Sequence, residues 1–216
     1  MLHMDFKTLL EKYGCNERKG IVHIGGHIGE EIPLYKELGF KKVLTFEPLS
    51  VPFSQIPTGE GIYNEQYAIG SENKEVEMFV ANNYQSSSIL QPVNHLIFHP
   101  SIAFEGKELV KVVSLDWYFE NNSHGLKASD FDVMVIDAQG YEGQVVAGAE
   151  NSLKHMKVVY SEINAGELYK DCIHIFKLDE ILKTKYSMIR KETLYNQRTA
   201  EGEAIYIKEF PVTGST

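Results

Sequence analysis

Short, almost wholly apolar segments alternate with amphipathic ones along most of this 216-residue sequence, and four of the apolar segments run directly into a glycine or an acidic residue. The clearest is the DVMVID segment at 132–137. Continuous apolar runs of this length are typical of strands in a parallel sheet whose two faces are both covered by helices. The alternation therefore predicts an α/β protein built on a mostly parallel sheet.

Hydrophobic periodicity predicts the order of the elements. The predicted strands cover 21–24, 43–46, 62–68, 132–137 and 158–163, followed by an antiparallel pair at 186–191 and 204–208. The predicted helices cover 4–13, 29–38, 142–153 and 173–184. Residues 70–114 break this rhythm, because strands at 76–80 and 109–113 flank a polar stretch that we predict to be a lid. We expect a single domain over 1–216 with 70–114 as an insertion.

The balance of charge limits the partners that we expect for this chain. It carries 21 Lys and Arg against 30 Asp and Glu, a formal net charge of −9. Because Lys and Arg dominate the binding of phosphate groups, this balance argues against nucleic acid or an anionic membrane and favours a neutral or cationic small molecule. Without a signal peptide or an apolar stretch long enough to span a membrane, the sequence predicts a cytoplasmic protein. It does not indicate an oligomeric state.

Four residues of chemical interest stand where predicted strands end. They are Gly25, Glu47, Asp137 and Glu162. In open parallel sheets, ligands bind beyond the carboxyl ends of the strands, at the point where the strand order reverses. We therefore expect these four residues to meet at one binding site.

The first of these strand ends is a glycine-rich turn, HIGGHIG at 23–29. Glycines allow a sharp turn and a close approach of the backbone to a ligand, and Glu47 at the end of the next strand can accept the two hydroxyls of a ribose. A dinucleotide fingerprint requires G-x-G-x-x-G, but Ile24 occupies its first glycine position. The turn therefore favours S-adenosylmethionine (SAM), which has no pyrophosphate, over a nicotinamide dinucleotide.

Several sequence phrases in a fixed order resemble those of the FkbM-type methyltransferases. The resemblance runs from about Gly20 to Lys208, and the IDxQGxE phrase followed by GA is its most specific part. The matching phrases are IVHIGGHIGEE at 21–31, TFEP at 45–48, YAIG at 67–70, SSS at 86–88, VVSLD at 112–116, FDVMVIDAQGYEGQVVAGAE at 131–150 and YSEIN at 160–164.

The resemblance implies a Rossmann-like class I methyltransferase fold, with a mostly parallel seven-stranded sheet and an antiparallel C-terminal strand pair. It also implies a SAM cofactor and usually O-methylation, often of a sugar or polyketide hydroxyl. The family generally has Asp where this chain has His23, and Ala-Asn where it has Gly26 and His27. A neutral imidazole at position 23 can make equivalent hydrogen bonds.

Combining the turn, the strand ends and the resemblance gives a predicted set of cofactor-binding residues. The set is His23, Gly25, Gly26, His27, Gly29, Glu47, Ala68 and Ser88. Ala68 ends the predicted third strand, where the adenine commonly packs in this fold, and Ser88 lies in the serine-rich part of the lid.

The predicted catalytic residues are Asp137 and Glu162. Methyl transfer is an in-line displacement, and an alcohol becomes a good nucleophile only when its proton can leave. Either Asp137 acts as general base while Glu162 orients the substrate, or both carboxylates together with Asn164 bind a divalent metal such as Mg²⁺. The sequence leaves these two mechanisms open.

The function predicted from the sequence is O-methylation of a hydroxyl of a saccharide or another small metabolite. Two alternatives remain at this point. One is a nicotinamide-dependent oxidoreductase, although the glycine fingerprint is incomplete and a Tyr-x-x-x-Lys dyad is absent from the sequence. The other, suggested by His23, is a non-catalytic cofactor-binding module of the same fold.

Overall fold

The structure is a computed structural model that describes residues 2–209. Met1 and residues 210–216, which the predicted domain of 1–216 includes, lie outside the described residues. The strands are β1 (Gly20–Ile24), β2 (Lys42–Phe46), β3 (Ile62–Glu65), β4 (Ala68–Ile69), β5 (Lys74–Ala81), β6 (Phe104–Val113), β7 (Val133–Ile136), β8 (Val158–Asn164), β9 (Met188–Asn196) and β10 (Glu201–Lys208). The helices are α1 (Phe6–Lys12), α2 (Ile32–Glu37), α3 (Ser50–Phe53), α4 (His95–Phe98), α5 (Leu115–Asn121), α6 (Glu142–Ala147) and α7 (Ile175–Tyr186), with 3₁₀ turns at Ala128–Asp130 and Ser152–Lys154.

Seven strands form the main sheet in the order β3-β2-β1-β7-β8-β10-β9. Five neighbouring strands pair in parallel, namely β3, β2, β1, β7 and β8. Strand β10 pairs antiparallel with both β8 and β9. The strand order reverses between β1 and β7, which lie side by side. This arrangement confirms the predicted Rossmann-like class I fold, including its C-terminal antiparallel pair, and puts the switch point beside the glycine turn.

Alternate residues of the parallel strands enter two different cores, which explains why the strands read as continuous apolar runs. Val22 of β1 packs in a cluster that includes residues of α6 and α7, whereas Ile21 packs in a cluster that includes residues of α1 and α2. Tyr35 of α2 and Leu10 of α1 are fully buried in the second cluster. Complete burial of each large apolar side chain contributes about 1.5–3 kcal/mol, so both faces stabilise the sheet that carries the strand ends.

Residues 68–113 build a second sheet of three strands, in the order β4-β6-β5. It occupies the segment predicted as an insertion at 70–114, although a division into domains stays a prediction. The expectation of one strand over 62–68 was wrong, because β3 pairs with β2 whereas Ala68 and Ile69 pair with β6 in the second sheet. Local periodicity does not reveal this exchange of partners, since both pieces are equally compatible with a strand.

A further local expectation was wrong. The helix predicted over 142–153 ends at Ala147, and Gly148 then packs so tightly that a Cβ on it would lie 1.8 Å from the carbonyl oxygen of Gly70. The N-cap of α5 is Ser114, whose side chain accepts a hydrogen bond from the Trp117 N–H at 3.1 Å. In the part of the chain that the structure describes, no helix has the length and apolarity needed to cross a membrane.

Candidate active site

A cavity of about 840 Å³ lies at the carboxyl ends of the central strands. Gly25 after β1, Glu47 after β2, Asp137 after β7 and Glu162 in β8 all line it. The four strand-end residues that the sequence analysis singled out therefore meet at one concave site. The volume falls within the range of about 300–1,000 Å³ that is common for ligand sites.

Gly25 allows β1 and β7 to come together at the switch point. Its φ is +84°, and a Cβ on it would lie 1.8 Å from the carbonyl oxygen of Asp137. Its N–H donates to the carbonyl of Phe46 at 2.9 Å, and the Asp137 N–H donates to Ile24 at 2.9 Å. No side chain fits between these backbones, so a glycine is required where the cavity begins.

Gly26 and Gly29 were predicted to contact the cofactor, but neither is among the residues that line the cavity. A Cβ on Gly26 would lie 2.1 Å from Cγ2 of Thr45, and one on Gly29 would lie 2.9 Å from side-chain atoms of Ile32 and Pro57. These two glycines therefore serve close packing of the turn against its neighbours. Their predicted contact with a cofactor stays a prediction.

Glu47 is an almost fully buried carboxyl group that faces the cavity. One of its oxygens accepts a hydrogen bond from the His27 N–H at 3.0 Å, and the other accepts one from the Leu49 N–H at 2.9 Å. Burial raises the pKa of Glu47 to about 7, although these two hydrogen bonds oppose the rise. Each oxygen has a second lone pair, so the fixed carboxylate can also accept two hydroxyl groups.

His23 and His27 both line the cavity, in different environments. The Nδ1 atom of His23 lies 3.1 Å from the hydroxyl of Tyr35, and burial lowers the pKa of this imidazole, which favours its neutral form. The side chain of His27 instead pairs with Glu30, at 2.9 Å. The neutral imidazole expected at position 23 is therefore compatible with its surroundings.

Gln139 connects the two predicted catalytic carboxyl groups. Its Nε2 donates to Asp137 at 2.8 Å and to Glu162 at 2.9 Å. Its Oε1 lies 2.9 Å from the hydroxyl of Tyr169, so all the polar atoms of the amide have partners. Burial raises the pKa of Glu162 well above its usual range, and the nearby charge of Asp137 raises it further. Glu162 therefore favours the protonated form.

The turn that carries Gln139 is held by a carboxyl group beneath it. Glu142 is completely buried, and its Oε1 accepts hydrogen bonds from the N–H groups of Ala138 at 3.2 Å and Gly140 at 3.0 Å. Gln139 and Gly140 have φ values of 50° and 93°, the left-handed conformation that such a tight turn needs. Glu142 thus fixes the backbone from which the Gln139 side chain reaches both carboxyl groups.

The lid segment contacts the same turn. The Ser88 hydroxyl donates to the carbonyl oxygen of Gln139 at 2.7 Å, and the carbonyl of Ser86 lies 2.9 Å from the hydroxyl of Tyr169. Ser88 is fully buried and is not among the lining residues, so its predicted contact with the cofactor stays a prediction. Ala68 does line the cavity, and its predicted contact with the adenine stays a prediction.

The donor set does not fit the divalent metal that the sequence left open. Between Asp137 and Glu162 lies the Nε2 of Gln139, which donates hydrogen bonds and has no lone pair for a cation. Asn164 is not among the residues that line the cavity. Within residues 2–209, no group of three or more His, Cys, Asp or Glu side chains is arranged to hold a metal ion. We therefore derive no catalytic step through a metal.

Sequence reasoning missed Gln139 and Tyr169. Gln139 and Glu142 both lie in the IDAQGYE phrase, so their spacing after Asp137 was an available signal. Tyr169 lies 30 residues beyond Gln139, and nothing in the sequence indicates that its hydroxyl reaches the amide. Only the tertiary structure brings these groups together.

Comparison with known proteins shows which family of proteins the chain resembles in sequence. The model of the methyltransferase FkbM domain matches residues 23–191. The chain is 36% identical over 182 residues to the 2-O-methyltransferase NoeI of Sinorhizobium fredii (strain NBRC 101917 / NGR234), which covers 78% of this chain and 71% of that protein. A nicotinamide-dependent oxidoreductase, considered above as an alternative, is not favoured by these matches.

Two solved structures share the fold at low sequence identity. The plantazolicin methyltransferase BpumL in complex with SAH has a TM-score of 0.50 and 10% identity, over 94% of this chain and 82% of that one. The methyltransferase domain of bacterial CtHen1-C has a TM-score of 0.51 and 9% identity, over 94% of each chain. At these identities the likeness extends to the fold alone. Because the family model covers most of the chain, the protein belongs to the FkbM methyltransferase family.

Proposed function

We propose that this methyltransferase transfers the methyl group of SAM to a hydroxyl oxygen of a saccharide or another small hydroxylated metabolite. The observation that carries the proposal is the shared cavity, which is lined both by Glu47 with the glycine turn and by the Asp137–Gln139–Glu162 network. The relative NoeI is named a 2-O-methyltransferase, which supports oxygen as the acceptor atom.

In this proposal the residues of the first two strand ends bind the cofactor. Glu47, fixed by two backbone N–H groups, accepts the ribose hydroxyls through its remaining lone pairs. The backbone of Gly25 approaches the cofactor closely, His23 and His27 lie beside it, and Ala68 contacts the adenine. These assignments rest on the position of each residue on the cavity wall.

The remaining carboxyl groups activate the acceptor. When bound, SAM supplies a methyl group attached to a positively charged sulfur. Asp137 accepts the proton of the acceptor hydroxyl as the new C–O bond forms and the C–S bond breaks. Glu162, which favours its protonated form, orients the acceptor by hydrogen bonding, and Gln139 keeps both carboxyl groups at a fixed separation.

The direct test measures SAH production by the purified protein with SAM and a panel of neutral saccharides, followed by mass spectrometry of the sugar. We expect one or more sugars to gain a single methyl group on oxygen. Asp137→Asn retains the shape of the side chain but cannot accept the proton, so we expect turnover to fall by about 10²–10⁴ with little change in SAH affinity. If Asp137→Asn turns over at the wild-type rate, Asp137 is not the base.

A matched control for that variant is Asp179→Asn. Asp179 lies on helix α7, where it pairs with Arg190 of β9 at 3.0 Å. It is not among the residues that line the cavity. We expect this control to retain wild-type turnover. Methylation of nitrogen or carbon instead of oxygen, or the failure of every hydroxylated acceptor, would reject the proposed reaction.

A further inference from the structure

Carboxyl groups crowd the wall of the cavity, while no lysine or arginine within residues 2–209 lines it. Among the described residues, seven Asp or Glu side chains line the cavity. One of them, Glu47, belongs to the predicted cofactor-binding residues, and Glu30 and Glu31 follow the glycine-rich turn that belongs to the same set. The other four belong to the strand ends and the C-terminal strand pair, where the acceptor must reach Asp137. The charge of this second group bears on the acceptor.

Three of these acids share one patch of the sheet. Glu162 of β8 lies directly opposite Glu203 of β10, and Glu201 lies two residues before Glu203 on the same strand. Directly opposite residues, and residues two apart on a strand, point to the same face. Because Glu162 favours its protonated form, it does not repel Glu203 across the strand pair, and this face of the sheet can hold three carboxyl groups.

Specific donors hold two of these carboxyl groups in place. Glu203 accepts hydrogen bonds from the backbone N–H of His3, at 3.0 Å, and from the hydroxyl of Tyr160. Glu201 lies 3.0 Å from Nε2 of His99, which belongs to the lid segment. Glu162, Glu201 and Glu203, which we call the acidic wall, thus form an ordered surface on which an acceptor can be recognised.

The histidines that line the cavity do not provide free positive charge. Burial lowers the pKa of His23, and it lowers the pKa of His95 to about 4, so both favour the neutral form. The rings of His3, His27 and His99 each lie 2.9–3.0 Å from a glutamate carboxylate. A protonated ring in such a pair only balances the charge of its own partner.

We propose that the acceptor is an uncharged or positively charged saccharide and that the acidic wall excludes saccharides that carry a carboxylate or phosphate group. This inference rests on the proposed O-methylation of a saccharide. Hydroxyl and ammonium groups donate hydrogen bonds to carboxyl oxygens, so both match a wall on which Glu201 and Glu203 stand beside the protonated Glu162. An anion in the same place loses its hydration, finds no cationic partner and meets like charges.

Within each of two sugar series, the test compares acceptors that differ only at C6. The probes are the methyl glycosides of glucose and galactose, their 6-amino-6-deoxy forms and their uronic acids, assayed at about pH 8, where an ordinary imidazole is neutral. We expect kcat/KM for the uronic acid to lie at least about a hundredfold below that of the neutral sugar, and the amino sugar to match or exceed the neutral one. Uronic acids methylated as well as neutral sugars would overturn the inference but leave the proposed function intact. If none of the sugars is methylated, the proposed function fails and the inference fails with it.

A charge-removing variant tests which residues exclude the anion. Glu201→Gln retains a hydrogen-bonding side chain beside His99 but removes one negative charge from the wall. We expect the ratio of kcat/KM between neutral and uronic sugars to fall about tenfold. The matched control is Glu180→Gln, since Glu180 is an exposed residue of α7 that pairs with Lys177 and is not among the lining residues. An unchanged ratio in Glu201→Gln, or an equal change in the control, would contradict the role of the wall.

Discussion

Glu47 combines almost complete burial with two backbone hydrogen bonds, so its oxygens point in fixed directions before any ligand binds. Replacement by Gln retains the size of the side chain but removes the charge. Because a hydrogen bond to a charged group contributes about 1.5–3 kcal/mol, we expect Glu47→Gln to weaken SAH binding by at least about tenfold in calorimetry.

A matched control exists at the same carboxyl edge of the sheet. Glu65 ends β3, at the position that pairs with Phe46, and is not among the residues that line the cavity. We expect Glu65→Gln to leave SAH affinity unchanged. Equal affinities of wild type and Glu47→Gln would remove Glu47 from the proposed cofactor site.

At the residue scale, the sequence predicted those site residues that mark the end of a strand. Gly25, Glu47 and Asp137 follow apolar runs directly, so their common location could be inferred from topology alone. Gln139 and Tyr169 could not be inferred in this way, because their roles depend on side-chain hydrogen bonds between distant segments. The sequence records neither the direction of a side chain nor the partner that it meets.

At the scale of elements, the close approach of β1 and β7 depends on Gly25. Gly25→Ala adds a methyl group where a Cβ would lie 1.8 Å from a backbone oxygen, and it also forces alanine into a φ of +84°. Gly39→Ala forces the same kind of φ, +86°, with no atom within 4 Å of the new Cβ. The control therefore isolates the backbone cost, about 1–2 kcal/mol.

We expect urea denaturation to show a substantially larger loss of unfolding free energy for Gly25→Ala than for Gly39→Ala. The physical reason is that Gly25→Ala must also separate two paired strands, which disturbs the core on both sides of the sheet. Similar losses for the two variants would mean that β1 and β7 can move apart at little cost.

The turn at 138–140 links the lid to the carboxyl pair, and Gln139→Gly tests that link. Glycine adopts the observed φ of 50° without strain, so the variant removes the amide while it preserves the turn. We expect kcat to fall by up to about a hundredfold, because Asp137 and Glu162 lose their shared donor. SAH affinity should remain close to that of wild type, as measured by calorimetry.

Tyr169→Phe is the milder companion variant, since it removes a single hydroxyl at 2.9 Å from the Gln139 side chain. We expect a smaller loss of kcat than in Gln139→Gly. If both variants keep wild-type kcat, the amide does not position the carboxyl groups.

Element boundaries show where local sequence patterns fail to predict the structure. The periodicity of 62–68 is compatible with one strand, yet the chain leaves the main sheet after Glu65 and joins the second sheet at Ala68. Likewise, α6 ends at Ala147 because Gly148 must pack against the backbone of Gly70, on a distant segment. Both outcomes are set by tertiary contacts, which override helix and strand propensity.

At the scale of the whole molecule, the buried carboxyl groups couple stability to pH. Burial raises the pKa of Glu142 from its ordinary value of 4.5 to about 7, and it raises the pKa of Glu47 from 4.5 to about 7 as well. Between these two pH values the folded protein retains protons that the unfolded chain has released. The contribution of these groups to stability is therefore fully present below about pH 4.5 and is lost as the pH rises to about 7.

Glu142→Gln separates this effect from all other titrations, because glutamine stays neutral and can still accept the N–H groups of Ala138 and Gly140. We expect the variant to gain stability relative to wild type as the pH rises from about 5 to about 8, at about 1.4 kcal/mol per unit of pKa shift. Urea denaturation at both pH values measures the difference, and exposed Glu180→Gln serves as the control. A difference between variant and wild type that does not change with pH would mean that Glu142 is ionised in the folded protein at both pH values. The neutral form of this carboxyl group would then not be what holds the turn beneath Gln139.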